Sequence, residues 1–291
     1  MVKKRVTTPV NLVTQGLHEV TSGNLKARLN FETEDEFVEI RDSFNFMAQK
    51  IEDADKEKKQ YEEERVQLFA NIAHDLKTPI TSITGYSQAL SSGMIEDPQK
   101  MSQYLQAIHV RSNQINELLD LMLEYTKLGS NLPPSEMADI DIVEVLREVV
   151  ASNYTDIEEA GMEVEFNFPE DQMICRMNKL EISRALNNLI ANAIRHNPPG
   201  TKIVVELKIV KGNIIITIAD TGSSIPLHLK KDLFKPFVLG DDSRSKGGSG
   251  LGLAIVDKLI MRNNGSISLE DGGNEFTKCF VINLKDGFGK K

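Results

Sequence analysis

The beginning of the chain contains two stretches in which apolar side chains recur at spacings of three and four. This spacing predicts two amphipathic helices with heptad-like seams. An extended connector joins them, because Ser22-Gly23-Asn24 ends the first helix and Leu25 and Leu29 supply apolar anchors. Two short helices of this kind bury too little surface alone, so we expect dimerisation into a parallel four-helix bundle. The apolar positions are Val10, Val13, Leu17 and Val20 in the first stretch, and Phe37, Ile40, Phe44, Met47 and Ile51 in the second.

The heptad register of the second stretch continues through Ala54, Leu68 and Ile72, and neither glycine nor proline interrupts it. One long helix is therefore expected to reach residues 69–80. After Ile72 the apolar positions shift to Leu76, which breaks the seven-residue repeat and turns the seam around the helix. This break is either a switching element or a simple repacking of the bundle.

A second long helix follows after a turn. Ser91-Ser92-Gly93 ends the first helix, and Asp97 followed by Pro98 is typical of a helix start. The new helix has a core-facing stripe and ends near Leu128. Because both helices of this hairpin have one apolar face, two hairpins from two chains are expected to form a four-helix bundle. The stripe consists of Met101, Leu105, Ile108, Ile115, Leu119 and Met122.

The segment 130–135, Ser-Asn-Leu-Pro-Pro-Ser, is rich in turn residues and marks the clearest domain boundary. The remainder of the chain mixes helical and β-branched patterns, which predicts an α+β domain. Asn178 with Glu181 three residues later is a capping-box signature that opens one of its helices. The other predicted elements are helices over 142–160 and from the glycine-rich segment 248–253 to about 263, and strands over 162–168, 203–210, 214–219, 266–270 and 276–284, of which 203–210 and 214–219 form a hairpin.

Composition narrows the classes of function. With 291 residues, 40% of them hydrophobic, the chain suits two or three domains with true cores. A net charge of -9 argues against nucleic acid as a main partner, because phosphate binding needs clustered lysine and arginine. Cys175 and Cys279 are isolated, so neither a disulfide framework nor a zinc site is predicted. No apolar run approaches the ~18 residues that span a bilayer, although Lys3-Lys4-Arg5 would suit a position beside a membrane.

The helix around His74 carries the first candidate chemistry. His74 lies opposite the midpoint of Ile72 and Leu76, so it is expected to point to solvent. Asp75 is its neighbour, and Thr78 lies one turn further along the same face. An exposed histidine beside a carboxylate is a candidate nucleophile. A lone histidine on a polar helix face usually has no chemical role. Whether His74 has one therefore depends on the chemistry of the other segments.

Three features of the second half suit a phosphorylated ligand with Mg²⁺. Asn188 and Asn192 lie four residues apart on one helix face, and amide oxygens are hard neutral ligands of the kind that Mg²⁺ accepts. Asp220 directly follows a buried-type strand, where its carboxylate could accept from an amino group such as that of adenine. The glycine-rich segment 248–253 precedes a helix and offers N–H groups to an anion. Each feature is weak alone, but their order within one domain is informative.

The segment 234–237, Phe-Lys-Pro-Phe, lies between Asp220 and the glycine-rich segment. Together with it, these three features resemble the sequence motifs called the N, G1, F and G2 boxes of the GHKL (Bergerat-type) ATP-binding fold. The stretch 74–79, His-Asp-Leu-Lys-Thr-Pro, resembles the H box of the sensor histidine kinases of two-component systems. The segment 248–253 lacks the Lys-Ser/Thr or G-x-G-x-x-G context of a P-loop or Rossmann site. A resemblance to a HAMP signal-relay domain rests on Thr8-Pro9, Gly23-Asn24-Leu25, Asp35-Glu36-Phe37 and Phe44-Asn45-x-Met47.

The resemblance implies a multidomain kinase. It would have a HAMP relay over 1–55, a dimerisation and histidine-phosphotransfer hairpin over 56–130, and a catalytic ATP-binding domain over 131–291. The first two would be all-α dimeric bundles and the third an α+β sandwich. His74 would take a phosphoryl group from Mg-ATP, helped by Asp75, and pass it to an aspartate of a response regulator.

The resemblance also implies a nucleotide site. Asn192 would hold Mg²⁺ on the ATP phosphates, Asn188 would support it, and Asp220 would read adenine. Arg195 and His196 fall where the family places residues that contact phosphate or nucleotide. The other implied nucleotide-binding positions are Gly222, Gly248, Gly250, Leu251, Gly252 and Leu253.

One of two further residues, Arg244 or Lys246, would stabilise charge on the transferring phosphoryl group. One position departs from the family pattern, because Ser224 replaces the second glycine of Asp-x-Gly-x-Gly. If that position needs a positive φ or a close backbone approach, a Cβ costs about 1 kcal/mol or more and weakens nucleotide binding.

Several functions therefore remain open. Thr78 resembles the residue that positions water when such enzymes dephosphorylate their regulator, so a phosphatase activity is a second hypothesis. A GHKL serine/threonine kinase or an ATPase would not need His74. A signalling adaptor that binds the regulator without catalysis is the alternative that Ser224 favours. We expect sensor and membrane segments to precede this chain, which would then be the homodimeric cytoplasmic portion of a bacterial membrane receptor.

Overall fold

The structure is a computed structural model, and it describes residues 2–32, 37–93, 95–128, 136–238, 249–273 and 275–285. The chain divides into two compact units, Met1–Ile72 and Ala73–Lys291. This division falls where the heptad register breaks in the sequence. No helix within the described residues is long and apolar enough to cross a membrane.

The N-terminal unit is built on two helices. Helix α1 spans Val2–Thr21, and helix α2 begins at Phe37 and ends at Ser91. The prediction of one long helix is confirmed, since the 55 residues of α2 include His74 and continue through Pro79. The small core of the unit contains Leu29, Phe44 and Ala48, with Val13, Val20 and Phe31 packed around it.

The connector between α1 and α2 is fixed by one side chain. The Asn45 amide accepts from the Leu29 N–H at 2.8 Å and donates to the Leu29 carbonyl at 2.9 Å. Gly16 allows α1 to approach, because a Cβ there would lie 2.8 Å from Leu29 Cδ2. Leu29 is therefore the apolar anchor that the sequence predicted. Asp35 and Glu36 of the relay resemblance lie outside the described residues.

The helical hairpin is completed by α3, which spans Pro98–Leu128. The predicted helix start is confirmed, because the Asp97 carboxylate accepts from the Gln99 N–H at 2.9 Å. Gly93 has a φ of 71°, the left-handed conformation that glycine tolerates best. The predicted boundary segment 130–135 lies outside the described residues.

The remaining elements form the predicted α+β domain. Five strands make a mixed sheet in the order β2-β4-β5-β7-β6, in which only the β2 and β4 pair is parallel. Strands β1 and β3 form a separate antiparallel pair. The elements are β1 Ala138–Asp141, α4 Ile142–Glu159, β2 Glu163–Asn167, β3 Ile174–Met177, α5 Lys179–His196, β4 Lys202–Val210, β5 Asn213–Asp220, α6 Leu227–Lys230, α7 Gly252–Arg262, β6 Gly265–Glu270 and β7 Lys278–Leu284.

One face of this sheet is buried, because alternate residues along its central strands point to the core. The predicted hairpin is confirmed, with Ile203 paired opposite Asp220. Along β7 the buried positions are Lys278, Phe280, Ile282 and Leu284, so the buried series begins with a lysine. Helices α4, α5 and α7 supply the other side of the core, to which Ile142, Leu146, Ile182, Leu186, Leu189, Ile255 and Ile260 contribute.

The capping box predicted at α5 forms only in part. Asn178 is the N-cap, and its side chain accepts from the Glu181 N–H at 2.9 Å. The Glu181 carboxylate accepts from Arg262 at 3.0 Å and from Asn263 at 2.9 Å. The Asn178 N–H instead donates to the Asn263 side chain at 2.8 Å. This buried network ties the start of α5 to the end of α7.

Candidate functional site

The α2 helix presents His74 to solvent, as its helical phase predicts. The imidazole is 79% exposed, whereas Ile72 is buried. Its Nδ1 atom lies 3.1 Å from the Asp75 carboxylate, which is its one side-chain partner within the described residues. When Nδ1 carries the proton and donates it to Asp75, the lone pair of Nε2 faces outward. Thr78 is also exposed, one turn further along.

Helix α5 carries four of the residues predicted to bind nucleotide or metal. Asn188 and Asn192 are partly buried, as is His196, and Arg195 is exposed. The Nδ2 atom of Asn188 is buried without a hydrogen-bond partner among the described residues. A buried amide nitrogen costs free energy until an acceptor reaches it. Asn188 therefore offers an N–H donor of the kind that a phosphate oxygen would satisfy.

The end of β5 brings Asp220 and Gly222 into one cluster. Asp220 is only 2% exposed, and its Oδ1 accepts from the Gly222 N–H at 3.0 Å. A Cβ on Gly222 would lie 2.1 Å from the Asn197 side-chain oxygen, so glycine is needed here. That oxygen also accepts from the Ser223 N–H at 3.0 Å. The turn after β5 is therefore packed directly against the end of α5.

Lys278 was not predicted from the sequence, yet it lies in the same cluster. Its ammonium is 3.3 Å from Asp220 and donates at 2.8 Å to both the Asn197 side-chain oxygen and the Ser223 carbonyl. Burial lowers the pKa of Lys278, and the Asp220 carboxylate opposes that shift. A signal for this residue was available, since Lys278 occupies an inward-facing position in the period-two pattern with Phe280.

The glycine-rich segment is described from Ser249 onward. Gly250 has a φ of 64° and its carbonyl accepts from the Phe237 N–H at 2.9 Å. Helix α7 begins at Gly252, where an added Cβ would meet open space. Leu251 is fully buried, so only its backbone can face a ligand, whereas Leu253 is partly buried. Gly248 and the predicted cations Arg244 and Lys246 lie outside the described residues.

Ser224 is exposed and is not among the residues with a positive φ. The backbone strain that would follow from replacing a glycine there is therefore absent. In the predicted 234–237 motif, Phe234 packs edge-on against Phe280 of β7, and the two ring centroids are 6.4 Å apart.

The C-terminal end of α3 packs against the α+β domain. Glu124 forms an ion pair with Arg184 of α5, and the Lys258 ammonium of α7 lies 4.4 Å from the centroid of the Tyr125 ring. Burial raises the pKa of Glu124 more than Arg184 lowers it. The helical hairpin is thus joined to the helices that carry the predicted nucleotide site.

The residues present suit a nucleoside triphosphate with a bound metal ion. Asp220 can accept from an amino group, Asn188 and α7 offer donors to phosphates, and Asn192 offers an amide oxygen. Within the described ranges, no group of three or more His, Cys, Asp or Glu side chains could hold a metal ion. Mg²⁺ commonly binds through one or two protein groups together with phosphate oxygens.

An α+β domain suited to a nucleotide follows a helical hairpin that exposes a histidine beside a carboxylate. This is the organisation of a phosphotransferase with a histidine acceptor.

Comparison with known families agrees. Residues 1–53 match the HAMP domain, residues 64–131 match the His Kinase A (phospho-acceptor) domain, and residues 177–286 match the histidine kinase-, DNA gyrase B-, and HSP90-like ATPase family. The sensor protein GtcS of Aneurinibacillus migulanus is 30% identical over 97% of this chain and 77% of its own length. The histidine protein kinase SaeS of Staphylococcus epidermidis is 30% identical over 82% of this chain and 69% of its own length.

Solved structures show the same fold. The Acinetobacter baumannii histidine kinase AdeS matches with a TM-score of 0.57 and 25% identity, over 74% of this chain and 98% of that chain. The histidine kinase ThkA, solved in complex with the response regulator protein TrrA, matches with a TM-score of 0.65 and 24% identity, over 80% of this chain and 66% of that chain. The chain belongs to the sensor histidine kinases, and it is an ATP-using protein-histidine kinase of two-component signal transduction.

Proposed function

We propose that His74 is the residue that this kinase phosphorylates. The observation that carries the proposal is the exposed imidazole with its Nδ1 atom 3.1 Å from Asp75. With Nδ1 donating its proton to Asp75, the lone pair of Nε2 forms a bond to the γ-phosphorus of ATP. The bond from that phosphorus to its bridging oxygen breaks, and ADP leaves. Asp75 increases the nucleophilicity of Nε2 because it stabilises the positive charge that develops on the ring.

On the nucleotide side, Asp220 accepts from the amino group of adenine, with Gly222 leaving room for the Asn197 side chain. Asn192 would hold the metal, and Asn188 would donate to phosphate. Mg²⁺, when bound, neutralises charge on the phosphates during transfer.

The nucleotide site also includes residues near the end of α5 and before α7. Arg195 and His196 lie next along α5, and Arg244 and Lys246 lie before α7 in the sequence. Backbone N–H groups of the segment 248–253, at the α7 N-terminus, face the phosphates.

The partners follow from the surfaces around His74. A response regulator that presents an aspartate docks on the hairpin near His74 and receives the phosphoryl group, and ThkA has been solved in complex with such a regulator, TrrA. Two copies of the chain pair through the apolar faces of α2 and α3. The chain divides into a HAMP relay over 1–55, a phosphotransfer hairpin over 56–130 and an ATP-binding domain over 131–291. It works at the cytoplasmic side of the membrane, with membrane-spanning segments upstream.

The decisive experiment is incubation of the full chain with Mg²⁺ and γ-labelled ATP. We expect the wild type to acquire a phosphate that is labile in acid and stable in alkali, as a phosphorus–nitrogen bond requires. The His74→Gln variant should acquire none. His109→Gln is a matched control, since His109 is an exposed histidine of α3, and it should be labelled like the wild type.

The result also separates the alternatives. A stable label that survives acid would indicate a serine/threonine kinase, and ATP hydrolysis without a label would indicate an ATPase. No labelling and no nucleotide binding under varied Mg²⁺ and ATP would contradict the kinase proposal and favour an adaptor.

A second function, dephosphorylation of the regulator, is favoured by the exposed Thr78 one turn from His74. Its hydroxyl is placed to orient a water molecule toward a phosphorylated aspartate docked there. The Thr78→Ala variant should keep autophosphorylation and lose regulator dephosphorylation. Equal loss of both activities would contradict this division of roles.

A further inference from the structure

Lys278 is the charged group at the buried end of the nucleotide site for which the proposed mechanism has no use. Its side chain is 6% exposed and lies on the inward face of β7, in the register position opposite Asp220. Burying an ammonium is costly unless acceptors surround it. A lysine in this position therefore calls for an explanation in terms of its neighbours.

Those neighbours place three oxygen acceptors around the ammonium. They are the Asp220 carboxylate at 3.3 Å, the Asn197 side-chain oxygen at 2.8 Å and the Ser223 carbonyl at 2.8 Å. These three acceptors come from the end of β5, the end of α5 and the turn that follows β5. The Lys278 ammonium is thus enclosed by protein acceptors, and it acts through the groups that it holds.

Asp220 is the group whose chemistry depends most on this lysine. Its contacts with Lys278 and with the Gly222 N–H both use Oδ1, so Oδ2 keeps its lone pairs for an incoming donor. The Lys278 ammonium attracts Oδ1 and so fixes the orientation of the carboxylate, and with it the position of Oδ2.

We propose that Lys278 is a positioning residue that sets the base selectivity of the nucleotide site by holding the Asp220 carboxylate in place. Where adenine carries an amino donor, guanine carries a carbonyl acceptor. A carboxylate oxygen fixed opposite this position of the base accepts from the adenine amino group and repels the guanine carbonyl. This inference rests on the proposed nucleotide role of Asp220, and it adds the residue that makes the role selective.

The test compares ATP and GTP as competitors for a fluorescent ATP analogue bound to the full chain with Mg²⁺. We expect the wild type to prefer ATP by at least about tenfold. In Lys278→Met, which keeps an unbranched side chain but loses the charge, ATP affinity should fall by about tenfold or more. GTP affinity should fall less, because guanine has no amino group at this position to lose its contact with Asp220, so the ratio of ATP affinity to GTP affinity narrows.

Two controls make the readout specific. Lys208→Met removes an exposed lysine of β4 and should leave both affinities unchanged. Circular dichroism melting shows whether Lys278→Met is folded. If it is not, Lys278→Gln keeps hydrogen-bond donors without charge and should narrow the preference with a smaller loss of ATP affinity.

The outcomes that overturn the proposal are distinct. Equal weakening of ATP and GTP in a folded Lys278 variant would show a purely structural role, and unchanged affinities would show no role. A wild type that binds ATP and GTP equally well overturns the proposal without any variant. A wild type that binds neither nucleotide contradicts the proposed function itself, whereas ATP binding with an unaltered preference in the variants contradicts only the role of Lys278.

Discussion

At the scale of single residues, the Asp75 contact with His74 is the simplest part of the site to test. Asp75→Asn keeps the size of the side chain but can no longer stabilise a positive ring. Because general acid–base groups contribute at least about 100-fold, autophosphorylation should slow by about that factor. Initial labelling rates at saturating ATP measure this, and ATP affinity should stay unchanged. A labelling rate within a factor of about two of the wild type would exclude a chemical role for Asp75.

Gly222 gives a second prediction at this scale. In Gly222→Ala the new methyl group would lie 2.1 Å from the Asn197 side-chain oxygen and push it away from Ser223 and Lys278. Nucleotide affinity should fall at least about tenfold, because the turn that positions Asp220 loses its packing.

Equilibrium titration with a fluorescent ATP analogue measures the effect of Gly222→Ala. Gly85→Ala is the matched control, since a Cβ at Gly85 meets no atom within 4 Å. It should bind nucleotide like the wild type. Similar affinities for the wild type and Gly222→Ala would show that the turn relaxes without cost.

At the scale of elements, the contact between α3 and α5 carries a buried acid. Burial raises the pKa of Glu124 above its ordinary value of 4.5, and the ion pair with Arg184 only partly offsets this. The folded protein therefore binds the proton more tightly than the unfolded chain does. The contribution of Glu124 to stability is present at pH values below its unfolded pKa and is lost as the pH rises through its folded pKa.

We therefore expect Glu124→Gln to be at least as stable as the wild type at pH 8, because the neutral amide avoids the cost of burying a charge. Thermal melting between pH 5 and pH 8 tests this, and the advantage of the variant should shrink toward the acidic end. Glu148→Gln is the control, since Glu148 pairs with Lys179 on an exposed surface. Marked destabilisation by Glu124→Gln at pH 8 would mean that the Arg184 ion pair outweighs burial.

The elements also show what periodicity can and cannot predict. The exposure of His74 and the length of α2 follow from helical phase alone, and both predictions were confirmed. Strands β1 and β3 were missed, because each has four residues and they pair across more than thirty intervening residues. Such pairing is a long-range contact that a local pattern does not contain.

A long-range contact also explains the difference at the start of α5. Asn178 caps α5 as predicted, but the Glu181 carboxylate is bound by residues that lie 81 and 82 positions further along the chain.

Lys278 was missed for a different reason, since the local alternation of β7 already places it on the buried face of the sheet. A charged residue at a buried position of an alternating strand is therefore a signal that can be read from the sequence.

At the scale of the whole molecule, unpaired apolar faces predict the oligomeric state. Leu105 and Leu123 on α3 are 55% and 54% exposed. If these positions lie between two copies, a charge there would have to be buried against the other chain. The full chain should sediment as a dimer with twice the 32.5 kDa mass of one copy.

Substitution separates this dimer from non-specific association. Leu105→Glu and Leu123→Glu should each shift the equilibrium toward the monomer. Leu180→Glu, at an 81% exposed position of α5, should leave the dimer intact. Sedimentation at several concentrations measures all three, and a monomeric wild type or dimeric α3 variants would contradict pairing through this face.

The hydrogen bonds between Asn45 and Leu29 also make the relay unit observable from within. Both backbone groups of Leu29 are held by one side chain, in the way a neighbouring strand would hold them. The Leu29 amide proton should therefore exchange slowly with solvent water as long as the connector stays seated on α2, and quickly once it lifts. The exchange rate of this single amide thus reports whether a signal has reached the N-terminal unit, independently of any transfer of phosphate.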